Sequence, residues 1–283
     1  MPTCVLRDGA KLTYADQGVG PTFLLVHGWA VHGGFFSDLS TRLSANHRVL
    51  TLNLRGHDGA DRGKAPLTID TLGADVAQFL EKLDLKNVTA LGWSMGAMAL
   101  WSAWPKIAGR VDALVVEEMS PRLVNASDWD CGLAGGYSEA DIPGTLNEIQ
   151  ADWQTYVSRF APRMFAPSVR AQRPELIEWS AREMSRADPA AMASFWASMA
   201  RQDFRTSLGA ISAPMLVIHG ADSLVYPDGA TEFVARAAPN AQRIVIDGAG
   251  HVPHLEAPDA FFNHITTFAR NARRSVLTGG VKP

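Results

Sequence analysis

The sequence predicts an α/β protein, a mostly parallel twisted sheet flanked by helices with an inserted helical cap. Three observations predict it. Short apolar runs alternate with segments of helical period at both ends of the chain. The runs are apolar at consecutive positions, so both faces of each strand are to be buried, as in a parallel sheet. The rhythm is interrupted once, over residues 121–207, by a stretch with helical patterns and no buried strand.

In chain order, Val5-Leu6 and Lys11 to Ala15 flank Asp8-Gly9 and predict an antiparallel hairpin at the sheet edge. Thr22 to Val26, Arg48 to Asn53, Val88 to Trp93 and Val111 to Val116 predict buried strands. Leu72, Val76, Phe79, Leu80 and Leu83 share one helical face behind Thr68, a suitable N-cap. Such alternation predicts right-handed crossovers with helices on both faces.

After Ser120-Pro121 come Gly132, Gly135 and Gly136, then helices. Thr145 to Glu148 reads as a capping box, with Ile149, Trp153, Val157 and Phe160 on one face behind it. Asp188-Pro189 starts another helix, striped by Met192, Phe195, Trp196 and Met199. Strands resume at Pro214 to Ile218 and Arg243 to Ile246, with helices from about Asp228 to Ala237 and from Pro258 to Arg270. The predicted core is therefore residues 1–120 with 208–283, and the predicted cap is 121–207.

Composition narrows the class. The 283 residues are 47% hydrophobic and 19% charged, enough to bury one large core. The net charge is -3 and no basic stripe occurs, which argues against a nucleic-acid partner. Arg270, Arg273 and Arg274 suit a helix C-terminus. No apolar stretch is long enough to span a bilayer, and the N-terminus does not resemble a signal peptide, so a cytoplasmic location is expected. Cys4 and Cys131 read as ordinary thiols. No metal-ligand spacing and no nucleotide-binding loop occurs, so neither a metal nor a cofactor is expected. Oligomeric state is left open.

The chemistry centres on Gly92-Trp93-Ser94-Met95-Gly96, between the strand ending at residue 92 and the helical run from Ala97. A turn this tight needs small flanking residues and raises the serine hydroxyl above the sheet's C-terminal edge. A serine hydroxyl is a weak nucleophile, so it needs a base and the base needs an orienting acid. Asp222 follows the strand at 214–218, and His251 follows the strand at 243–247. Groups at strand C-termini converge in open α/β sheets, so Ser94, Asp222 and His251 are the expected catalytic set. His27-Gly28-Trp29 follows the strand at 22–26, which places the Trp29 amide to form an oxyanion hole with that of Met95.

These segments resemble the α/β-hydrolase superfamily: HGWAV at 27–31, NLRGHD at 53–58, GWSMGA at 92–97, HGADSLVYP at 219–227 and GAGHVPHLEAP at 248–258. The resemblance spans most of the chain and matches the family order of serine, acid and histidine. It departs at Asn53 and Asp58, where the family has Asp and Gly, and it implies a structural role for Arg55. Glu117 and Glu118 also end a strand and are the alternative acids; Asp222 fits the family's common position. Serine at the elbow separates the chain from relatives that use Asp there and implies an esterase or perhydrolase-like enzyme without a cofactor. His254 reads as a rim or packing residue, and His32 and His57 as loop histidines near the mouth.

The expected reaction is acyl transfer through an acyl-enzyme, on a small to medium hydrophobic ester, lactone or thioester. Trp93 and the cap residues Trp129, Trp153 and Trp196 are the expected substrate contacts. A perhydrolase or acyltransferase, with peroxide or alcohol replacing water, and a catalytically silent ligand receptor on the same fold are the alternatives.

Overall fold

The computed structural model describes residues 1–58 and 60–277. Eight strands form one sheet in the order β1-β2-β4-β3-β5-β6-β7-β8. They are β1 (Thr3–Val5), β2 (Lys11–Gln17), β3 (Thr22–Val26), β4 (Arg48–Leu52), β5 (Val88–Trp93), β6 (Val111–Glu117), β7 (Met215–Gly220) and β8 (Ala241–Ile246). β1 and β2 form an antiparallel hairpin, and β2 runs antiparallel to β4. From β4 to β8 all neighbours are parallel. The apolar runs explain the interior: every residue of β5 and β7 is buried.

Helices α1 (Ser37–Leu43), α2 (Ile69–Lys82) and α3 (Met95–Ile107) follow β3, β4 and β5. Because β4 lies on one side of β3 and β5 on the other, right-handed crossovers put α1 and α2 on opposite faces. Thr68 caps α2, its side chain accepting from the Thr71 amide, and α2 packs along α3.

Between β6 and β7 lie α4 (Ile142–Ala151), α5 (Trp153–Phe160), α6 (Pro167–Gln172), α7 (Pro174–Met184) and α8 (Pro189–Ala200). The Thr145–Glu148 pattern does not start a helix. Thr145 sits inside α4, and the reciprocal capping bonds belong to Ser138 and Asp141, which have the same spacing seven residues earlier, on the short 3-10 turn that leads into α4. Pro143 in the first turn of α4 fixes that earlier start. The face drawn through Ile149 and Trp153 is also broken, because Asp152 ends α4 and caps α5. Asp188 caps α8, with Pro189 at its first position.

The chain closes with α9 (Asp228–Ala237), α10 (Pro253–Glu256) and α11 (Pro258–Leu277), the last packed against α1 and β6. α11 extends beyond Arg270, so Arg270, Arg273 and Arg274 lie in its last turns.

Candidate active site

Ser94 joins β5 to α3 in a left-handed backbone conformation, φ 52° and ψ -121°. A non-glycine residue held there is strained, and such strain persists only where the surroundings enforce it. Two glycines do so. A Cβ on Gly92 would lie 2.6 Å from Ala97 Cα, and one on Gly96 would lie 2.1 Å from Val26 O. The strand and helix can therefore approach closely only with glycine on both sides of the turn.

His251 follows β8 and is anchored through its backbone. Its amide donates to Met164 O at 2.7 Å, and its carbonyl accepts from the Trp93 indole at 2.8 Å. The flanking amides of Gly250 and Val252 both donate to Glu256 Oε2, at 2.7 and 3.1 Å. Glu256 Oε1 accepts from the Ala166 amide at 2.7 Å, tying the histidine loop to the helical segment above it.

The carboxylate at the imidazole is Glu118, whose Oε2 lies 3.3 Å from His251 Nδ1. Asp222, the expected acid, is not there: its side chain is exposed and its amide donates to Ala249 O at 2.9 Å. The turn after β7 accounts for the difference. Gly220 is pressed against the Gly250 carbonyl, where a Cβ would lie 2.0 Å away. Past it the chain turns Asp222 outward and Ser223 inward, and the Ser223 hydroxyl donates to Glu118 Oε2 at 2.9 Å. Glu118 stands just beyond β6 in a left-handed conformation, φ 48°, with its amide donating to Ile218 O.

Glu118 Oε1 accepts the Gly220 amide at 2.8 Å and lies 2.5 Å from His219 Nδ1. Burial pushes the Glu118 carboxyl upward, but the adjacent imidazoles of His219 and His251 outweigh it and hold the group below the ordinary glutamate value. Glu117, the neighbouring alternative, faces another imidazole: His254 Nδ1 lies 2.8 Å from its Oε1, and both residues are buried. His254 is thus a packing histidine.

The Gly28–Trp29 peptide is set by His27. Since the Leu54 amide must donate to His27 Nε2 at 3.0 Å, Nδ1 carries the proton and donates to Gly28 O at 2.8 Å. Complete burial depresses the His27 pKa, which keeps the ring neutral. With that carbonyl held, the Trp29 amide of the same peptide plane points the other way. Among the described residues the Trp29 amide has no acceptor. Met95 begins α3, where first-turn amides lack partners within the helix.

Ser94, His251, Trp29, Trp93 and Trp196 line one narrow cavity of about 20 Å³, together with Leu123, Met164 and Tyr226. A wider cavity of about 270 Å³ lies beyond it, bordered by Tyr156, Arg159 and Arg163; Leu133, Phe160, Trp196 and Val225 line both. Trp129 and Trp153, expected at the substrate, line neither. Trp129 packs on Phe233 and donates its indole N–H to Arg122 O, and Trp153 meets Trp29 edge to face at 5.5 Å. Both instead fasten the helical segment. His32 and His57 are also away from these cavities: His32 caps the turn at Gly34, and His57 is buried with Nδ1 3.0 Å from Arg55 O.

Arg55 is buried and locked structurally, with a paired contact to Asp75 at 2.6 and 2.7 Å and a third to Asp8 at 2.7 Å. Tyr226 is a site residue that motif reading missed. Its hydroxyl donates to Met119 Sδ at 3.3 Å, it lines the same cavity as Ser94, and its ring lies 5.5 Å from that of His251. The only signal in the sequence was its place four residues after Asp222. No helix among the described residues is long and apolar enough to cross a membrane.

Residues 21–258 match the family described as the alpha/beta hydrolase fold. The pimeloyl-[acyl-carrier protein] methyl ester esterase of Nitrosomonas europaea is 26% identical over 255 residues, 89% of this chain and 97% of that protein. The protein of the same name from Xanthomonas campestris pv. campestris is 30% identical over 246 residues, 86% of this chain and 92% of that one. Among solved structures, an esterase from Exiguobacterium antarcticum superposes with a TM-score of 0.86 at 20% identity, covering 95% of this chain and 98% of that chain.

Proposed function

The chain belongs to the α/β-hydrolase fold family, and on that premise we propose that it is a serine esterase using Ser94, His251 and Glu118. The observation that carries this reading is the strained Ser94 sharing a narrow apolar cavity with His251, whose far nitrogen meets a buried carboxylate. Curated relatives named as esterases of an acyl methyl ester support ester hydrolysis.

In this reading Glu118 fixes the imidazole with Nδ1 protonated and leaves Nε2 to take the Ser94 proton. The 3.3 Å separation is long for a charge-assisted bond and is expected to shorten as the imidazolium forms. Ser94 Oγ attacks the ester carbonyl, and the Trp29 and Met95 amides receive the tetrahedral oxyanion. Protonated His251 then donates to the departing alcohol. Water, deprotonated by the same ring, releases the acid.

The cavities suggest how the substrate lies. The narrow one holds a small alcohol such as methanol beside His251. The wider one, walled by Phe160, Trp196, Leu133 and Val225, receives the acyl chain. The helices between β6 and β7 act in this reading as a cap. The preferred substrate is a short-alkyl ester of a small to medium hydrophobic acyl group.

Labelling with alkyl fluorophosphonates tests the reading. Adduct mass mapping is expected to find Ser94 alone modified, at rates that rise with chain length, with no labelling in Ser94→Ala. An adduct on another residue, or equal labelling of the variant, contradicts it.

A further inference from the structure

We propose that the Tyr226 phenol is a catalytic group that donates a hydrogen bond to the oxygen leaving or entering beside His251. The proposal rests on the esterase reading above and adds a participant to it. Tyr226 comes from the loop after β7, on the His251 side of Ser94, and lines the same narrow cavity. It is 4% exposed, and its ring lies 5.5 Å from the imidazole at an interplanar angle of 60°.

In the resting site the hydroxyl donates to Met119 Sδ at 3.3 Å, in the cavity that Ser94 also lines. Thioether sulfur is a weak acceptor, so the phenol proton is readily turned toward a better one. Burial and the nearby Glu118 carboxylate both raise the phenol pKa, so the group stays a proton-bearing donor throughout the working range of a histidine base.

The Trp29 and Met95 amides approach the carbonyl oxygen from the β3 and α3 side. Tyr226 and His251 follow β7 and β8, which in the sheet order lie on the opposite side of Ser94 from β3. The oxygen within reach of Tyr226 is therefore the one exchanging with His251. When the tetrahedral intermediate collapses, the carbon–oxygen bond to the alcohol breaks and the His251 Nε2 proton passes to that oxygen. Tyr226 keeps its own proton and supplies only a hydrogen bond to the developing negative charge. By microscopic reversibility the water that cleaves the acyl-enzyme enters at the same place and meets the same donor.

Tyr226→Phe removes one oxygen and keeps the ring against His251. Against a methyl ester, kcat/KM is expected to fall about 10–100-fold, the loss of one hydrogen bond to a charged partner, with KM little changed. Against the 4-nitrophenyl ester of the same acid, whose leaving group needs no help, kcat/KM is expected to stay within about 3-fold while the deacylation-limited kcat falls. An unchanged thermal midpoint establishes that the fold is intact. Equal losses in kcat/KM for both esters, or no loss for either, overturn the role of the phenol alone. Wild-type protein that carries no fluorophosphonate on Ser94 overturns the esterase reading and this one together.

Discussion

Ser94 and Glu118 are both non-glycine residues at positive φ, 52° and 48°, and they stand at the ends of adjacent strands. The strain at each has a direction. At Ser94 it lifts the hydroxyl over the edge of β5, and at Glu118 it turns the carboxylate across the end of β7. The Ser94 amide donates to Glu117 O at 2.9 Å, so the two strained turns are also bonded to each other through the sheet. What enforces the first is the absence of side chains around it. Gly96→Ala places a methyl group 2.1 Å from Val26 O, backbone that cannot yield. Urea denaturation is expected to show about 3 kcal/mol or more of destabilisation for this variant. Gly109→Ala, where a Cβ meets nothing within 4 Å, is expected to change stability by less than about 0.5 kcal/mol. Similar losses in the two variants contradict the close-approach argument.

At the scale of elements, the loop from β8 to α10 decides whether the imidazole is in place. Glu256 gathers the amides of Gly250, Val252 and Ala166 on one carboxyl group, so it holds the loop and the overlying helices together. Burial raises its pKa to about 7, outweighing the three amides that favour the ionised form. An acid whose folded pKa lies above its unfolded value near 4.5 keeps its proton longer in the native state. The native protein then binds more protons between those values, and stability falls as pH rises through that window. Thermal midpoints of wild type are expected to drop between about pH 5 and about pH 8, and Glu256→Gln is expected to flatten that drop. Parallel pH profiles for the two proteins count against this assignment. Neither this clamp nor the break at Asp152 was legible in the sequence. A glutamate that binds backbone amides leaves no periodic trace, and the apolar face continuing from α4 into α5 concealed the helix end. Strands β3 to β7 were legible because a strand buried on both faces must be written as an apolar run.

Across the whole molecule, residues from β3, β5, β6, β7 and β8 meet at one edge of the sheet, with helices between β6 and β7 above them. That convergence was readable from strand–loop positions, and Ser94, His251 and Trp29 do line one cavity. Asp222 was expected beside His251 and Glu118 stands there, because pattern cannot distinguish two carboxylates that both follow strands. Asp222 and Ser223 differ by one position in a turn, and one position decides which side chain points inward. Trp129 and Trp153 lie outside both cavities for a related reason: a large aromatic residue fits the contact between helix and body as well as it fits a pocket wall. Which carboxylate serves His251 is measured most directly by kcat/KM of Glu118→Gln beside Asp222→Asn. With folded protein in both cases, the expected result is a loss of about 1,000–10,000-fold for Glu118→Gln, as for the acid of other serine triads, and a change within about 3-fold for Asp222→Asn. A large loss in Asp222→Asn with near-normal activity in Glu118→Gln would contradict the Glu118 assignment.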